Sequence, residues 1–271
     1  MCRLLGVVAP GPDQVHGVLG ASEGFCELSH KHKDGWGVAW HDAAGELRIL
    51  KGALPAWSDP EYEPALAAVE GGAALVHLRR ASVGIPVELR NCHPFGEGDV
   101  AFEHNGQFRV SDRMRAYYAE NRLRPLEGTT DSELYFGLVL GFFSRTNSWP
   151  DAIVEAAAFI TRDLWVDDPS DNPEALNCLL LTPDALYGYS QSESAKLKPE
   201  STPDAYVLRL AERPDSVVVT STQWAVDQAV ELPERAVVEV DRGSLAVTVH
   251  PQVPLGGREA PPRPRPRRAH L

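Results

Sequence analysis

Apolar and polar positions along this chain fall into short stretches of two periods. Arg3-Leu4-Leu5-Gly6-Val7-Val8 is an apolar run with β-branched residues and reads as a buried strand. Further on, Glu46-Leu47-Arg48-Ile49-Leu50-Lys51 alternates with period two. Ala43-Ala44-Gly45 joins it to the mixed apolar stretch around Trp36 and Trp40, which predicts an antiparallel hairpin. Residues 73–79 and 99–104 are further strand patterns. Helical stripes occur at residues 61–70, 112–121, 131–144 and 151–164. In the third, Leu134, Leu138, Val139, Phe142 and Phe143 share one face. Residues 14–26 read as a short helix or a loop. The remainder is strand-rich, at 176–181, 186–189, 206–211, 216–222, 236–240 and 245–249, with Asp241-Arg242-Gly243-Ser244 turning the last pair into a hairpin.

Composition narrows the class. The 271 residues are 43% hydrophobic and 24% charged, ordinary for a globular chain able to bury a large core. A formal charge of -12 argues against general nucleic-acid binding. The longest apolar run, residues 134–143, holds Gly137 and Gly141 and falls short of the ~20 residues of a membrane span. No basic stretch followed by an apolar core and a cleavage site opens the chain, so a cytoplasmic location is expected and no membrane partner. Cys2, Cys26, Cys92 and Cys178 are scattered, without metal-finger spacing or a disulfide framework, so no metal and no cofactor are expected. From Pro251 the chain is rich in Pro, Gly and Arg. Residues 1–250 are expected to form one domain and 251–271 a disordered tail.

Candidate chemistry begins at Met1-Cys2. Trimming of the methionine would leave one residue bearing both a thiol and a free α-amine. A thiolate is the better nucleophile, and an α-amine titrating at about 7.7–8.0 can take the thiol proton and return it to a leaving amine. Taken alone, the second-position cysteine is also compatible with no special role. Gly35 and Gly37 flank Trp36 and allow a backbone or a ligand to come close. Arg79 ends a buried strand, where a guanidinium needs an anionic partner, with Arg80 beside it and Ser82 in the following turn. His77 could be a ligand, but a histidine in an apolar strand is more often a hydrogen-bonded core residue, and His93 reads the same way. Asn105-Gly106 is either a hairpin turn or, through the Asn105 amide and the Gly106 N–H, an oxyanion hole. Thr130-Asp131-Ser132-Glu133 matches a capping box, which would make Asp131 a helix-start carboxylate.

Five segments in this order, Met1-Cys2 with its strand, Lys33-Asp34-Gly35-Trp36-Gly37, His77-Leu78-Arg79-Arg80-Ala81-Ser82, Glu103-His104-Asn105-Gly106 and Thr130-Asp131-Ser132-Glu133, resemble the class II glutamine amidotransferases, whose glutaminase domains are N-terminal-nucleophile hydrolases. The resemblance implies an α+β fold, a four-layer αββα sandwich with mostly antiparallel sheets. It implies a cysteine-dependent amidohydrolase that cleaves the side-chain amide of glutamine or a γ-glutamyl compound through a Cys2 thioester. Asn105 and Gly106 would form the oxyanion hole, Arg79 would bind the substrate α-carboxylate with Ser82 nearby, and Asp131 its α-ammonium. Trp36 and His93 match family positions and are given supporting or packing roles. No synthase domain follows the glutaminase-sized region. The expected partner is therefore a separate ammonia-accepting synthase, or none, as in the γ-glutamyl hydrolases of ergothioneine synthesis. A different amidase of the same nucleophile class and a non-catalytic glutamine-sensing or docking subunit are the alternatives.

Overall fold

The structure, a computed structural model, describes residues 2–20, 23–121, 123–168, 173–192, 206–221 and 229–251. The expected tail beyond 251 lies outside them. The elements in chain order are β1 (Arg3–Val8), α1 (Pro12–Gly20), α2 (Glu23–Glu27), β2 (Trp36–His41), β3 (Leu47–Gly52), α3 (Tyr62–Ala67), β4 (Ala73–Leu78), β5 (Phe95–Glu97), β6 (Val100–Gln107), α4 (Asp112–Glu120), α5 (Asp131–Thr146), α6 (Trp149–Asp167), β7 (Ala175–Leu181), β8 (Ala185–Tyr189), β9 (Arg209–Arg213), β10 (Ser216–Thr220), β11 (Val230–Glu231), β12 (Val237–Asp241) and β13 (Val247–His250).

These strands make two sheets, ordered β11-β9-β10-β1-β4-β2-β3 and β13-β12-β8-β7-β6-β5. The pairings throughout are antiparallel. Period two explains why the sheets stack. On β1, Leu5 and Val7 pack with Val15, Val18 and Leu19 of α1 and with Tyr62, Ala65 and Leu66 of α3. Leu4 and Val8 point the other way and meet Leu179, Leu181 and Leu186 of the second sheet. That sheet turns Phe102, Leu176 and Leu180 outward against α4, α5 and α6. The result is helix, sheet, sheet, helix: the expected four-layer α+β sandwich.

Two local readings change. Asn105-Gly106 is not a turn. Both residues lie inside β6, opposite Asn177 and Leu176 of β7, because pairing across eight residues outweighs the turn preference of the dipeptide. Asn91-Cys92-His93-Pro94-Phe95 reads from the sequence as a loop, and its last residue instead opens edge strand β5. Elsewhere the start of α5 follows its sequence signal, with Thr130 Oγ1 accepting from the Glu133 N–H at 3.1 Å.

Candidate active site

The strands β1 and β6 belong to different sheets, and Cys2 and Asn105 meet between them. The Cys2 N–H donates to Asn105 Oδ1 at 2.8 Å. The Cys2 carbonyl accepts from Arg3 Nη1 at 2.9 Å, so both main-chain groups of the residue are held. Its side chain is 8% exposed, with Sγ 3.7 Å from the Arg80 carbonyl oxygen. An amide that accepts through its oxygen presents its NH2 end as the donor. Gly106 follows, where a Cβ would collide with the Ala175 carbonyl and lie 2.7 Å from His104 Nε2, so only glycine fits beside β7.

Cys2, Arg79, Ser82, His93, Gly106 and Asp131 line one cleft, together with Arg80, Gln107, Glu174 and Tyr206. Trp36 does not. It lies on the helix-covered face of its sheet, donates Nε1–H to Asp59 Oδ2 at 2.8 Å and packs edge-on against Tyr62.

Arg79 leaves the end of β4 and is 3% exposed. Its guanidinium donates to the carbonyls of Asp34 and Pro86, each at 3.2 Å, and among the described residues no carboxylate lies within ion-pair distance. Neutral carbonyls take two of its five donors and leave its charge uncompensated, which suits an incoming anion. Asp131 shows the opposite sign. Its Oδ2 accepts from the Phe108 N–H at 2.8 Å, Oδ1 accepts from the Ser132 N–H at 2.9 Å, and no basic side chain among the described residues pairs with it. Buried Glu133 fixes this corner. Its carboxylate accepts the N–H groups of Glu127 and Gly128, at 2.9 and 2.8 Å, and pairs with Arg124 at 3.1 Å instead of closing the capping box onto Thr130.

Three histidines and one glutamate are buried around the cleft. His104 sits between the Ala175 carbonyl, 3.2 Å from Nε2, and Ser132 Oγ, 2.9 Å from Nδ1. A carbonyl can only accept, so Nε2 carries the proton and Nδ1 receives the Ser132 hydroxyl. Burial lowers the His104 pKa and keeps the ring neutral. His77 and His93 stack with ring centroids 4.2 Å apart. Burial pushes both well below the usual histidine range, and a backbone hydrogen bond with His104 works against the shift in His77. On β6 Glu103 is fully buried, and burial pushes its pKa well above the carboxylate range, opposed by a hydrogen bond with the Leu5 backbone. Gly37 makes this packing possible, since a side chain there would strike the His93 carbonyl.

Sequence reasoning gave no role to Glu103, Tyr206 or Glu174. Alternation in β6 carries a signal for the first, because Ala101, Glu103 and Asn105 share a parity that turns them toward the facing sheet. No group of three or more His, Cys, Asp or Glu side chains able to hold a metal occurs among the described residues, and no described helix is long and apolar enough to cross a membrane.

Comparison with known proteins agrees with this layout. The γ-glutamyl-hercynylcysteine sulfoxide hydrolase of Mycolicibacterium smegmatis is 24% identical over 221 residues, 79% of this chain and 81% of that protein. Among solved structures, a glutamine aminotransferase class-II domain protein from Silicibacter pomeroyi superposes with a TM-score of 0.60 at 20% identity, covering 93% of this chain and 100% of that one. The glutamine phosphoribosylpyrophosphate amidotransferase of Bacillus subtilis gives a TM-score of 0.61 at 18% identity, covering 92% of this chain and 49% of the other, so the fold is that of the N-terminal-nucleophile amidotransferase domains. The family profile described as "Glutamine amidotransferases class-II" matches residues 1–199, and the chain belongs to that family.

Proposed function

We propose that this protein is a Cys2-dependent amidohydrolase that cleaves the side-chain amide of γ-glutamyl compounds, glutamine among them, through a thioester. The observation that carries this reading is the 2.8 Å contact between the Cys2 nitrogen and the Asn105 side chain, at a cleft that Arg79 and Asp131 line with opposite charges.

Removal of Met1 would convert that nitrogen into an α-amine held by Asn105. The amine takes the thiol proton, and the thiolate adds to the side-chain carbonyl. The resulting oxyanion is met by the Asn105 amide and the Gly106 N–H. Collapse breaks the C–N bond, and the amine base hands its proton to the departing nitrogen. A water molecule, deprotonated by the same amine, adds to the thioester, and glutamate leaves as the thiol regains its proton. Arg79 binds the substrate α-carboxylate and Asp131 its α-ammonium. Ser82, whose hydroxyl donates to Gln107 Oε1 at 3.1 Å, holds the loop after β4 against the end of β6. His93 and Trp36 contribute packing.

The relative from M. smegmatis is named for hydrolysis of a γ-glutamyl conjugate, which favours hydrolysis over delivery of ammonia to a separate synthase. The test is release of glutamate from glutamine and from γ-glutamyl amides by the purified chain. Cleavage that disappears in Cys2→Ala supports the reading, and Cys2→Ala retaining full hydrolysis contradicts it.

A further inference from the structure

Recognition of a γ-glutamyl head group uses one cation and one anion, and Arg79 with Asp131 supplies both. The cleft holds a cation beyond that requirement. Arg80 is exposed, lines the same cleft, and among the described residues has no carboxylate within ion-pair distance. Its main chain is already the thiol's neighbour, since the Arg80 carbonyl oxygen lies 3.7 Å from Sγ. Its charge also reaches Arg3, the residue next to the thiol. Burial lowers the Arg3 pKa first, and Arg80 acts in the same direction.

A second guanidinium has nothing to bind when glutamine is the substrate, because ammonia departs without an anionic group. In a γ-glutamyl amino acid the departing nitrogen bears a carbon that carries a carboxylate. That carboxylate lies two bonds from the scissile nitrogen and cannot leave the vicinity of the thiol. An anion placed there calls for a solvent-accessible cation borne on the backbone next to Sγ, and Arg80 is such a residue. Asp131 lines the cleft as well and repels a carboxylate on its own side.

We propose that Arg80 is a specificity-determining residue that takes the carboxylate of the departing amine, and that the site is built for γ-glutamyl amino acids or peptides in preference to glutamine. The proposal rests on the amidohydrolase reading above.

The test compares glutamine, γ-glutamylglycine and γ-glutamylglycinamide, the last matching the second in size but lacking its carboxylate, with glutamate release as the readout. The native chain should prefer γ-glutamylglycine over γ-glutamylglycinamide by about 10- to 100-fold in kcat/KM, the range expected for a charge-assisted contact at a partly open site. Arg80→Ala should bring that ratio to about one, and Arg80→Lys should keep part of it. Raising the salt concentration should shrink the native ratio. Equal kcat/KM for the two glycine compounds in the native chain, or a ratio that survives Arg80→Ala, overturns the assignment while leaving the amidohydrolase reading intact. Absence of glutamate release from all three compounds overturns both.

Discussion

The layer between the two sheets has two ends of opposite character. One is apolar: Val8, Ala73 and Leu75 of the first sheet close on Leu181, Leu186 and Val240 of the second. The other, reached two residues further along β4 and β6, is polar and equally buried, with His77, His93, Glu103 and Asn105. The first end has what a core wants. The second holds two histidines and a glutamate whose burial disfavours their charged forms, polar groups standing where a core would place apolar ones. The difference teaches where stability has been given up, and it is beside the thiol.

Mutation of each end should therefore give opposite phenotypes. Leu75→Ala at the apolar end should lower unfolding free energy by about 2–5 kcal/mol in denaturant titration while the folded fraction keeps its kcat/KM. At the cleft, Arg79→Ala should lower kcat/KM for γ-glutamyl substrates by about 100-fold or more, the cost of losing a desolvated partner for the α-carboxylate. An Arg79→Ala protein with native kcat/KM would remove the head-group assignment.

Protonation sharpens the contrast. Burial lowers the pKa of His77, His93 and His104, so the folded protein keeps them neutral at pH values where the unfolded chain takes up protons. Their contribution is complete above the ordinary histidine value of 6.5 and is lost as pH falls below it. Stability should drop there by up to about 1.4 kcal/mol per pH unit for each ring. Melting curves from pH 7 downward check this, and a flat profile would contradict it. The smallest effect comes from Glu103, whose raised pKa works the other way. Its contribution is complete below 4.5 and is lost as pH rises from there toward its folded-state value. Glu103→Gln keeps a neutral side chain of similar shape and removes that loss. Its stability relative to the native chain should rise between pH 5 and neutrality by up to about 1.4 kcal/mol per pH unit, starting from near equality at low pH. A difference that does not change with pH would mean that Glu103 ionises normally.

How much of this was legible in the sequence depended on whether the signal was local. The run Arg3 to Val8 predicted β1 to the residue because one apolar stretch decides it, and Thr130 marked the start of α5 because its cap lies within one turn. Asn105-Gly106 misleads as a turn, since what keeps it extended is β7, some seventy residues away in sequence. Edge strand β5 escapes notice for a similar reason, as its pairing with β6 is what defines it. Site residues were legible by type. That Cys2 meets Asn105 across two sheets is a property of the stacking, which no single stretch encodes. That His77 and Glu103 are sealed between the two sheets was out of reach, because the residue types do not reveal the facing layer.

The central claim is that a trimmed amino terminus makes Cys2 the nucleophile. Intact-mass spectrometry, followed by peptide mapping, of active protein treated with a glutamine analogue carrying a chloroketone in place of the side-chain amide tests it most directly. The account predicts a mass lacking Met1, one adduct per chain, the adduct on Cys2, and activity lost in proportion. Active protein that retains Met1, or an inactivating adduct on Cys26, Cys92 or Cys178, would contradict it.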